Sequence, residues 1–205
     1  MKYRRYGKFN VSDYLLSWVA VGIWLCCAIM IKIFDFHWLY LCLSCVYGIA
    51  TLWCIFSPHR ESFFINKDCI VSIIGNKKRE IKLPAEIIIV VSPADICPPF
   101  ATRTAISKST HILKGKYAVT LLSQITMEDV INRLHDPWIG EYTTSMMEPI
   151  FEPHFLYSFV CNRDLLEKVI AGRKYSIIVP SALLDIIDFE GSVAIHVVNA
   201  QPFVP

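Results

Sequence analysis

Two long apolar stretches, residues 14–34 and 38–56, stand three residues apart near the beginning of the chain. The first stretch has 21 residues and the second has 19. Helices of that length rise roughly 30 Å, which matches the thickness of the hydrocarbon core of a bilayer. The short segment between them suffices only for a tight turn. The pattern therefore predicts a membrane α-helical hairpin of two transmembrane helices, with no domain beyond its turn.

Basic residues flank this predicted hairpin on the side that holds both of its ends. Four Lys or Arg residues and one Asp lie within residues 1–13, and Arg60 and Lys67 follow the second stretch. The turn carries no Lys or Arg. Because loops rich in Lys and Arg stay in the cytoplasm, we expect a multi-pass protein of the inner (plasma) membrane with both termini cytoplasmic. A cleaved signal peptide is the alternative for the first stretch, but no small-residue cleavage site follows it.

The composition agrees with a membrane location. Hydrophobic residues make up 54% of the 205 residues, which is more than an ordinary soluble protein contains. Five of the eight cysteines lie within the two apolar stretches, where they act as small apolar residues. The other cysteines fall in the part expected in the cytoplasm, where thiols stay reduced, so no disulfide framework is predicted.

Strand-sized segments follow the hairpin. Within residues 62–92, apolar or alternating segments are separated by turn residues, which is typical of a β-meander. A Lys-Gly-Lys sequence at residues 114–116 predicts one more hairpin, and Thr126 predicts the cap of a helix that continues to about His135. This order of strands and one helix resembles the pleckstrin-homology-like (PH-like) family, and the strand at residues 79–83 is similar to strands of that family. The resemblance implies a barrel closed by the helix.

A proline-containing segment separates this part from the C-terminal part. Residues 137–153 hold three prolines, one glycine and few periodic apolar positions, which favours a linker. Beyond it, strands and helices alternate as in a small α/β unit, without the glycine-rich turn of dinucleotide-binding proteins. The predicted fold class is thus a membrane α-helical hairpin plus a cytoplasmic α+β, β-rich, PH-like domain with a C-terminal α/β unit. The predicted segments are residues 1–13 (basic tail), 14–56 (hairpin), 57–136 (β-rich domain), 137–153 (linker) and 154–205 (α/β unit).

The residues that could carry catalysis do not gather into a recognisable site. Cys42 and Cys45 form a C-x-x-C, but within a predicted transmembrane helix this spacing merely places both on one face. Cys54 and His59 are the one pair that could meet near the inner face, where two helices enclose little space for a substrate. The sequence shows no spacing typical of metal ligands. We therefore expect a protein that is not an enzyme and that holds no cofactor or metal.

Small residues follow one face of each predicted transmembrane helix. In lipid, small side chains let helices approach closely, and hydroxyl groups can hydrogen-bond across the contact. Two interpretations stay open: the two helices pack against each other through these residues, or one helix binds another copy of the chain. Because two helices cannot enclose a water path, a pore would need several copies around an axis. The predicted helix–helix contact residues are Ser17, Ala20, Ser44, Gly48 and Thr51.

The formal net charge is only +2, but its distribution is uneven. Residues 57–116 carry ten Lys or Arg against five Asp or Glu, whereas residues 117–205 carry five against eleven. Basic segments gain roughly 1 kcal/mol per Lys or Arg near an anionic leaflet, so we expect the basic half to lie against headgroups. Nucleic-acid binding is the alternative, but few aromatic residues interleave with the basic ones. The predicted membrane-surface basic patch is Lys2, Arg4, Arg5, Lys8, Lys77, Lys78, Arg79 and Lys82.

A two-helix membrane hairpin with a large cytoplasmic part and no catalytic signature resembles the small two-transmembrane effectors of bacterial anti-phage defence systems, of the retron or cyclic-oligonucleotide type. The resemblance implies a toxin-like antiviral effector. It would oligomerise through its helices and permeabilise the membrane when its cytoplasmic domain or a partner senses a cytosolic signal. The implied partners are membrane lipid, further copies of the chain and a cytosolic regulatory protein or nucleoprotein, but not nucleic acid directly.

Two other functions remain open at this point. The first is a membrane-anchored PH-like scaffold, or a bacteriocin-immunity protein, without toxicity. The second is a membrane-anchored enzyme centred on His59 and Cys54. A stable partner and no toxicity would favour the first, whereas loss of an activity on changing Cys54 would favour the second.

Overall fold

The computed structural model describes eight stretches of the chain, which together form an α+β fold. These stretches contain five α-helices and nine β-strands, and the strands are arranged in two sheets. The described residues are 2–7, 15–34, 38–56, 60–96, 111–134, 144–161, 163–180 and 195–198.

The first sheet contains four antiparallel strands. They are β1 (Tyr3–Arg4), β2 (Ser62–Ile65), β3 (Cys69–Ile74) and β4 (Lys77–Lys82), in that spatial order. Strands β2 to β4 form the meander that the sequence predicts, whereas β1 comes from far upstream and pairs with β2 at the edge. Gly75 lies in the turn between β3 and β4 with a φ of +59°, a conformation that other residues rarely adopt.

The second sheet contains five strands. They are β5 (Glu86–Ile96), β6 (His111–Leu122), β7 (Phe155–Val160), β8 (Lys174–Pro180) and β9 (Ile195–Val198). The spatial order is β7-β6-β5-β8-β9, with antiparallel pairing from β7 to β5 and parallel pairing from β5 to β9. Strand β5 is therefore central, and its β-branched residues 87–91 are all buried.

Two hydrophobic cores lie on opposite faces of the second sheet. Three further helices contribute to them: α3 (Met127–Leu134), α4 (Thr144–Phe151) and α5 (Arg163–Ile170). Alternate residues of β5 point to opposite faces. Ile89 thus belongs to the core formed with α5 and with Phe63 of the first sheet, whereas Val90 belongs to the core formed with α3 and α4. The second sheet is therefore covered by the first sheet and α5 on one face and by two helices on the other.

The two apolar stretches form α1 (Leu15–Ile33) and α2 (Trp38–Phe56), so the helical interpretation of both is confirmed. The helices contact each other along their length and are called the α1–α2 hairpin below. Val21 of α1 and Ile55 of α2 are buried in one apolar cluster with Ala94 of β5 and Ala118 of β6. The base of the hairpin is thus packed on the second sheet.

The prediction that these helices cross a membrane is wrong. Within the ranges given above, no helix combines the length and the apolar character that a membrane crossing requires. Helix α1 is shorter than its apolar stretch, at 19 residues, and its Val21 and the Ile55 of α2 are used in packing on the second sheet. The predicted transmembrane hairpin, and the inner-membrane location with both termini cytoplasmic that depended on it, are corrected accordingly.

The predicted PH-like barrel is also wrong, because its strands divide between two sheets: β2 to β4 lie in the first and β5 and β6 in the second. The C-terminal α/β unit does not form a sheet of its own either. Strand β8 pairs with β5, with Val90 opposite Ile178, and β7 pairs with β6. Part of the stretch predicted as a linker is helical, since Thr144–Phe151 forms α4, and residues 135–143 lie outside the described residues.

Candidate functional site

An ion pair between Arg5 and Glu61 lies at the junction of the two sheets. Arg5 Nη1 and Glu61 Oε2 are 2.8 Å apart, and the two side chains are only 17% and 10% exposed. Arg5 directly follows β1 and Glu61 directly precedes β2, so the pairing of these strands brings them together. The backbone N–H of Arg5 also donates to the carbonyl of Glu61 at 3.1 Å. The local chain path therefore positions this ion pair.

Arg5 also joins the first sheet to β7 of the second sheet. Its Nε donates to the carbonyl of Ser158 at 2.9 Å, and its Nη2 donates to Ser158 Oγ at 3.2 Å. The guanidinium carbon lies 4.9 Å from the centre of the Tyr157 ring, within the range of a cation–π interaction. The backbone N–H of Val160 donates to the carbonyl of Arg5 at 2.7 Å. Arg5 thus connects an edge of the first sheet to the edge strand β7 of the second sheet.

The carboxylate of Glu61 has further hydrogen-bond donors on its second oxygen. Glu61 Oε1 accepts from Ser72 Oγ at 2.9 Å and from the hydroxyl of Tyr157 at 3.0 Å. Buried charges are tolerated when they are paired and hydrogen-bonded in this way. The set Arg5, Glu61, Ser72, Tyr157 and Ser158 is called the Arg5 network below.

Burial changes the proton affinity of two members of the Arg5 network. Burial raises the pKa of Tyr157 above its usual value, so its hydroxyl stays protonated and donates to Glu61 at neutral pH. Burial alone would lower the pKa of the Arg5 guanidinium, but Tyr6, Glu61 and Tyr157 outweigh this effect and raise it. Arg5 therefore remains a fixed positive charge.

A cleft of about 500 Å³ opens beside the Arg5 network and is called the basic cleft below. Arg79 of β4 lies opposite Ser72 of β3, and Lys77 lies opposite Ile74. Because directly opposite residues share a face of the sheet, this pairing brings both cations to the side of the cleft. The lining includes four basic residues (Arg5, Lys77, Lys78 and Arg79) and two acidic ones (Glu61 and Glu148). Lys78 lies opposite Ile73 and thus on the other face of the strand, so the three cations on the cleft face (Arg5, Lys77 and Arg79) exceed the two carboxylates by one positive charge.

The structure divides the predicted basic patch among separate locations. Four of its members, Arg5, Lys77, Lys78 and Arg79, line the basic cleft. Lys2 and Arg4 line a different cleft of about 560 Å³ at the edge of the first sheet. Lys82 is exposed near the end of β4, and Lys8 lies outside the described residues.

The predicted helix–helix contact residues lie on the α1–α2 hairpin. Gly48 is buried against the indole ring of Trp24 in α1, so this residue contacts the other helix of the same hairpin. Ala20, Ser44 and Thr51 are half-buried, and Thr51 Oγ1 donates to the carbonyl of Tyr47 at 2.9 Å. Ser17 belongs to α1, but its side chain lies outside the described part of the chain.

The candidate nucleophiles and metal ligands give no site in the described ranges. His59 and the side chain of Cys54 lie outside them, and Cys42 and Cys45 are exposed on α2. No group of three or more His, Cys, Asp or Glu residues that could hold a metal ion occurs among the described residues.

A further cleft of about 650 Å³ lies at the start of α3. Gln124 in its wall has a φ of +56°, which is uncommon for a residue with a side chain. The lining mixes acidic and basic groups and, with the histidine neutral, carries one net negative charge. These groups are Glu86, Asp129, Arg133 and His154.

Sequence reasoning missed the partners of Arg5. Glu61, Ser72, Tyr157 and Ser158 are ordinary residues within or beside predicted strands, and no motif marks them. A signal was present only at Glu61, which is an acidic residue directly before an apolar strand and becomes buried. The contacts themselves join residues up to 153 positions apart, which local patterns do not report.

No protein-family model matches this chain, and no curated protein or solved structure matches it either. The resemblance of its layout to anti-phage effectors therefore stays a prediction. The function has to be inferred from the geometry of the described residues.

Proposed function

We propose that the chain is a self-assembling interaction protein in which the α1–α2 hairpin is the surface that binds a second copy. One observation carries this proposal. Of the sixteen exposed large hydrophobic side chains in the described part of the chain, fifteen lie within residues 19–56 and one, Ile74, lies elsewhere. Trp38, Ile33 and Val46 are 68%, 67% and 65% exposed. Contiguous apolar surface of this kind marks interaction sites in proteins.

The apolar residues surround both helices instead of forming one stripe. A helix that faced only its own protein core would be polar on its outer side, whereas a helix that is apolar all round is buried in a larger assembly. The base of the hairpin is covered by the second sheet through Val21 and Ile55. The outer turns, from Ile23 to Ile49, keep most of the exposed apolar side chains. These turns are the part that a partner would cover.

A second hairpin is the occupant that fits this surface best. Lys32 is the only charged residue within the described residues 15–34 and 38–56, so a partner recognised by charge would find almost nothing to pair with. A second copy offers the same apolar surface at the same length, as a two-fold symmetric interface requires. Two such hairpins can pack as a four-helix bundle.

The available area suits a reversible contact. A pair of helices about 28 Å long and about 20 Å wide offers at most roughly 560 Å² per copy, and the base is already covered, so two copies bury at most roughly 1,100 Å², which is the size of weak, concentration-dependent interfaces. Self-association is the part of the predicted effector function that this geometry supports. Permeabilisation of a membrane is not part of the proposed function, because it would require helices that cross the membrane.

Cross-linking through the native cysteines tests the proposal directly. Cys26, Cys27, Cys42 and Cys45 are exposed on the hairpin, whereas Cys69 is buried in β3. A short bis-maleimide should therefore join two copies of the purified full chain, and sedimentation should show a dimer or a larger oligomer. In a chain whose Cys54 and Cys97 are already Ser, changing the four hairpin cysteines to Ser should abolish cross-linking without changing the sedimentation, and Cys69→Ala should change neither.

A matched pair of variants tests which surface is responsible. Val46→Glu places a charge on the hairpin at a side chain that is 65% exposed, and Ile74→Glu makes the same kind of change at the exposed residue outside it, which is 56% exposed. Only Val46→Glu should dissociate the oligomer. A wild-type chain that sediments as a monomer at every concentration would overturn the proposal. Binding to phospholipid vesicles without self-association would overturn it as well.

A further inference from the structure

We propose that the basic cleft binds a small molecule through a phosphate group. This inference does not rest on the self-assembly of the hairpin, since none of the groups that carry it lies on α1 or α2. It rests on the position of the β4 cations, on the charge left over in the cleft and on its size.

The register between β3 and β4 decides which β4 cations lie on the face of the cleft. Lys77 and Arg79 lie opposite Ile74 and Ser72, and Ser72 Oγ donates to Glu61 in the Arg5 network. The face that carries Lys77 and Arg79 is therefore the face turned toward the buried ion pair. Lysines on an edge strand often serve only to prevent pairing with another sheet. Here Lys77 and Arg79 line a concave space together with Arg5. A role in preventing sheet pairing does not require that arrangement.

The net positive charge of the cleft favours the binding of an anion. Glu61 neutralises Arg5 within the buried ion pair. Lys77 and Arg79 then face only Glu148 among the lining residues, and within the part of the chain that the structure describes no ion pair joins them to a carboxylate. A surplus of positive charge in a cleft raises the local concentration of anions.

The number of donors favours phosphate over a single carboxylate. A guanidinium fits two oxygens of either group, but a phosphate has further oxygens that can accept charge-assisted hydrogen bonds from the neighbouring ammonium group. The volume of about 500 Å³ is typical of sites for small molecules. A nucleic acid strand would instead need an open groove along which its backbone could continue. The occupant is therefore a small phosphorylated molecule or free phosphate.

Calorimetric titration of the full chain with inorganic phosphate, with pyrophosphate and with a short single-stranded oligonucleotide tests this assignment. Pyrophosphate should bind more tightly than phosphate, because it brings more negative charge to the same cations, and the oligonucleotide should bind no more tightly than phosphate. Ligand binding should also raise the unfolding midpoint, and the rise should continue with the logarithm of the ligand concentration after the site is saturated. No heat and no change in midpoint with either phosphate compound would overturn the proposal. Binding of the oligonucleotide alone would overturn it in favour of a nucleic-acid site.

Two variants of the same strand locate the site. Arg79→Gln removes a cation of the cleft, and Lys82→Gln removes an exposed cation of β4 that does not line it. Arg79→Gln should weaken pyrophosphate binding about tenfold or more, since hydrogen bonds to charged groups are the strong ones. Lys82→Gln should leave binding within about twofold, which is the scale of a screened surface charge. Equal weakening by both would show general attraction to a basic strand and would overturn the site.

Discussion

Gly48 of α2 lies directly against the indole ring of Trp24 in α1. A Cβ atom placed on Gly48 would clash with Cε2 and Cδ2 of that ring. The indole is a rigid ring, so the whole Trp24 side chain or the helix would have to shift to make room. The contact between the two helices therefore depends on the absence of a side chain at residue 48.

Gly48→Ala should destabilise the α1–α2 hairpin, by about 1 to 3 kcal/mol, because overpacking a close contact costs energy of this order. Gly22 of α1 is the matched control, since a Cβ there would meet nothing within 4 Å. Gly22→Ala should stabilise the chain by about 0.5 to 1 kcal/mol through its higher helix propensity. Urea unfolding followed by tryptophan fluorescence measures both. Equal effects of the two changes would contradict the close contact at Gly48.

Glu61→Gln should destabilise the junction of the two sheets. The neutral amide leaves the buried guanidinium of Arg5 without a counter-charge, and breaking one side of a buried ion pair costs about 3 to 5 kcal/mol. Glu86→Gln removes an exposed carboxylate at the start of β5 and should change the free energy of unfolding by less than about 0.5 kcal/mol. A loss below about 1 kcal/mol for Glu61→Gln would mean that Arg5 finds compensation elsewhere.

Stability should fall at high pH because of two buried acidic groups. Burial raises the pKa of the Cys161 thiol from 9.0 to about 12, and it also raises the pKa of Tyr157. Above pH 9 the thiol ionises in the unfolded chain but stays protonated in the folded chain, so the unfolded state is stabilised relative to the folded state. The free energy of unfolding should therefore decrease by up to about 1.4 kcal/mol per pH unit for this group until the pH reaches the folded pKa.

The pH effect of Cys161 can be isolated by substitution. Cys161→Ala should remove its share of the slope between pH 9 and 12 and leave the contribution of Tyr157. Urea midpoints measured across this range provide the comparison. An unchanged slope in the variant would show that Cys161 is not the group responsible.

Thr126 should stabilise the start of α3. Its Oγ1 accepts a hydrogen bond from the backbone N–H of Asp129 at 3.1 Å, which confirms the cap predicted from the sequence. Thr126→Ala should lower the free energy of unfolding by about 1 kcal/mol, the usual value of such a cap, whereas Thr126→Ser should retain it. If both substitutions had the same effect, the threonine methyl group rather than the hydroxyl would be important.

Several elements follow from short stretches of sequence alone. Strands β2, β3 and β4 lie within residues 62–92, where alternation and turn residues predict a β-meander. Strand β7, helix α5 and strand β8 alternate after residue 153, as predicted for that part. Gly172 after α5 has a φ of +72°, as expected for a glycine that ends a helix. The hairpin predicted around residues 114–116 does not form, since β6 extends as one strand from His111 to Leu122. Its pairing with β5 is irregular there: Ile112 lies opposite Asp95 and Tyr117 lies opposite Pro93, so Lys-Gly-Lys falls in a bulge of β6 instead of a turn between two strands.

The sequence by itself thus determined most of the helices and strands, since that choice depends on the spacing of apolar side chains among near neighbours. It did not predict α4, which lies in the proline-containing segment, or β1, which lies in the basic tail. It also determined that the α1–α2 hairpin would be apolar, although not what covers it. Only the tertiary structure decided that β8 joins β5, that two sheets form in place of a barrel, and that Arg5 is buried against Ser158 and Glu61 instead of lying on a surface. Those outcomes depend on which distant surfaces fit together once the chain has folded back on itself, and no local pattern records that fit.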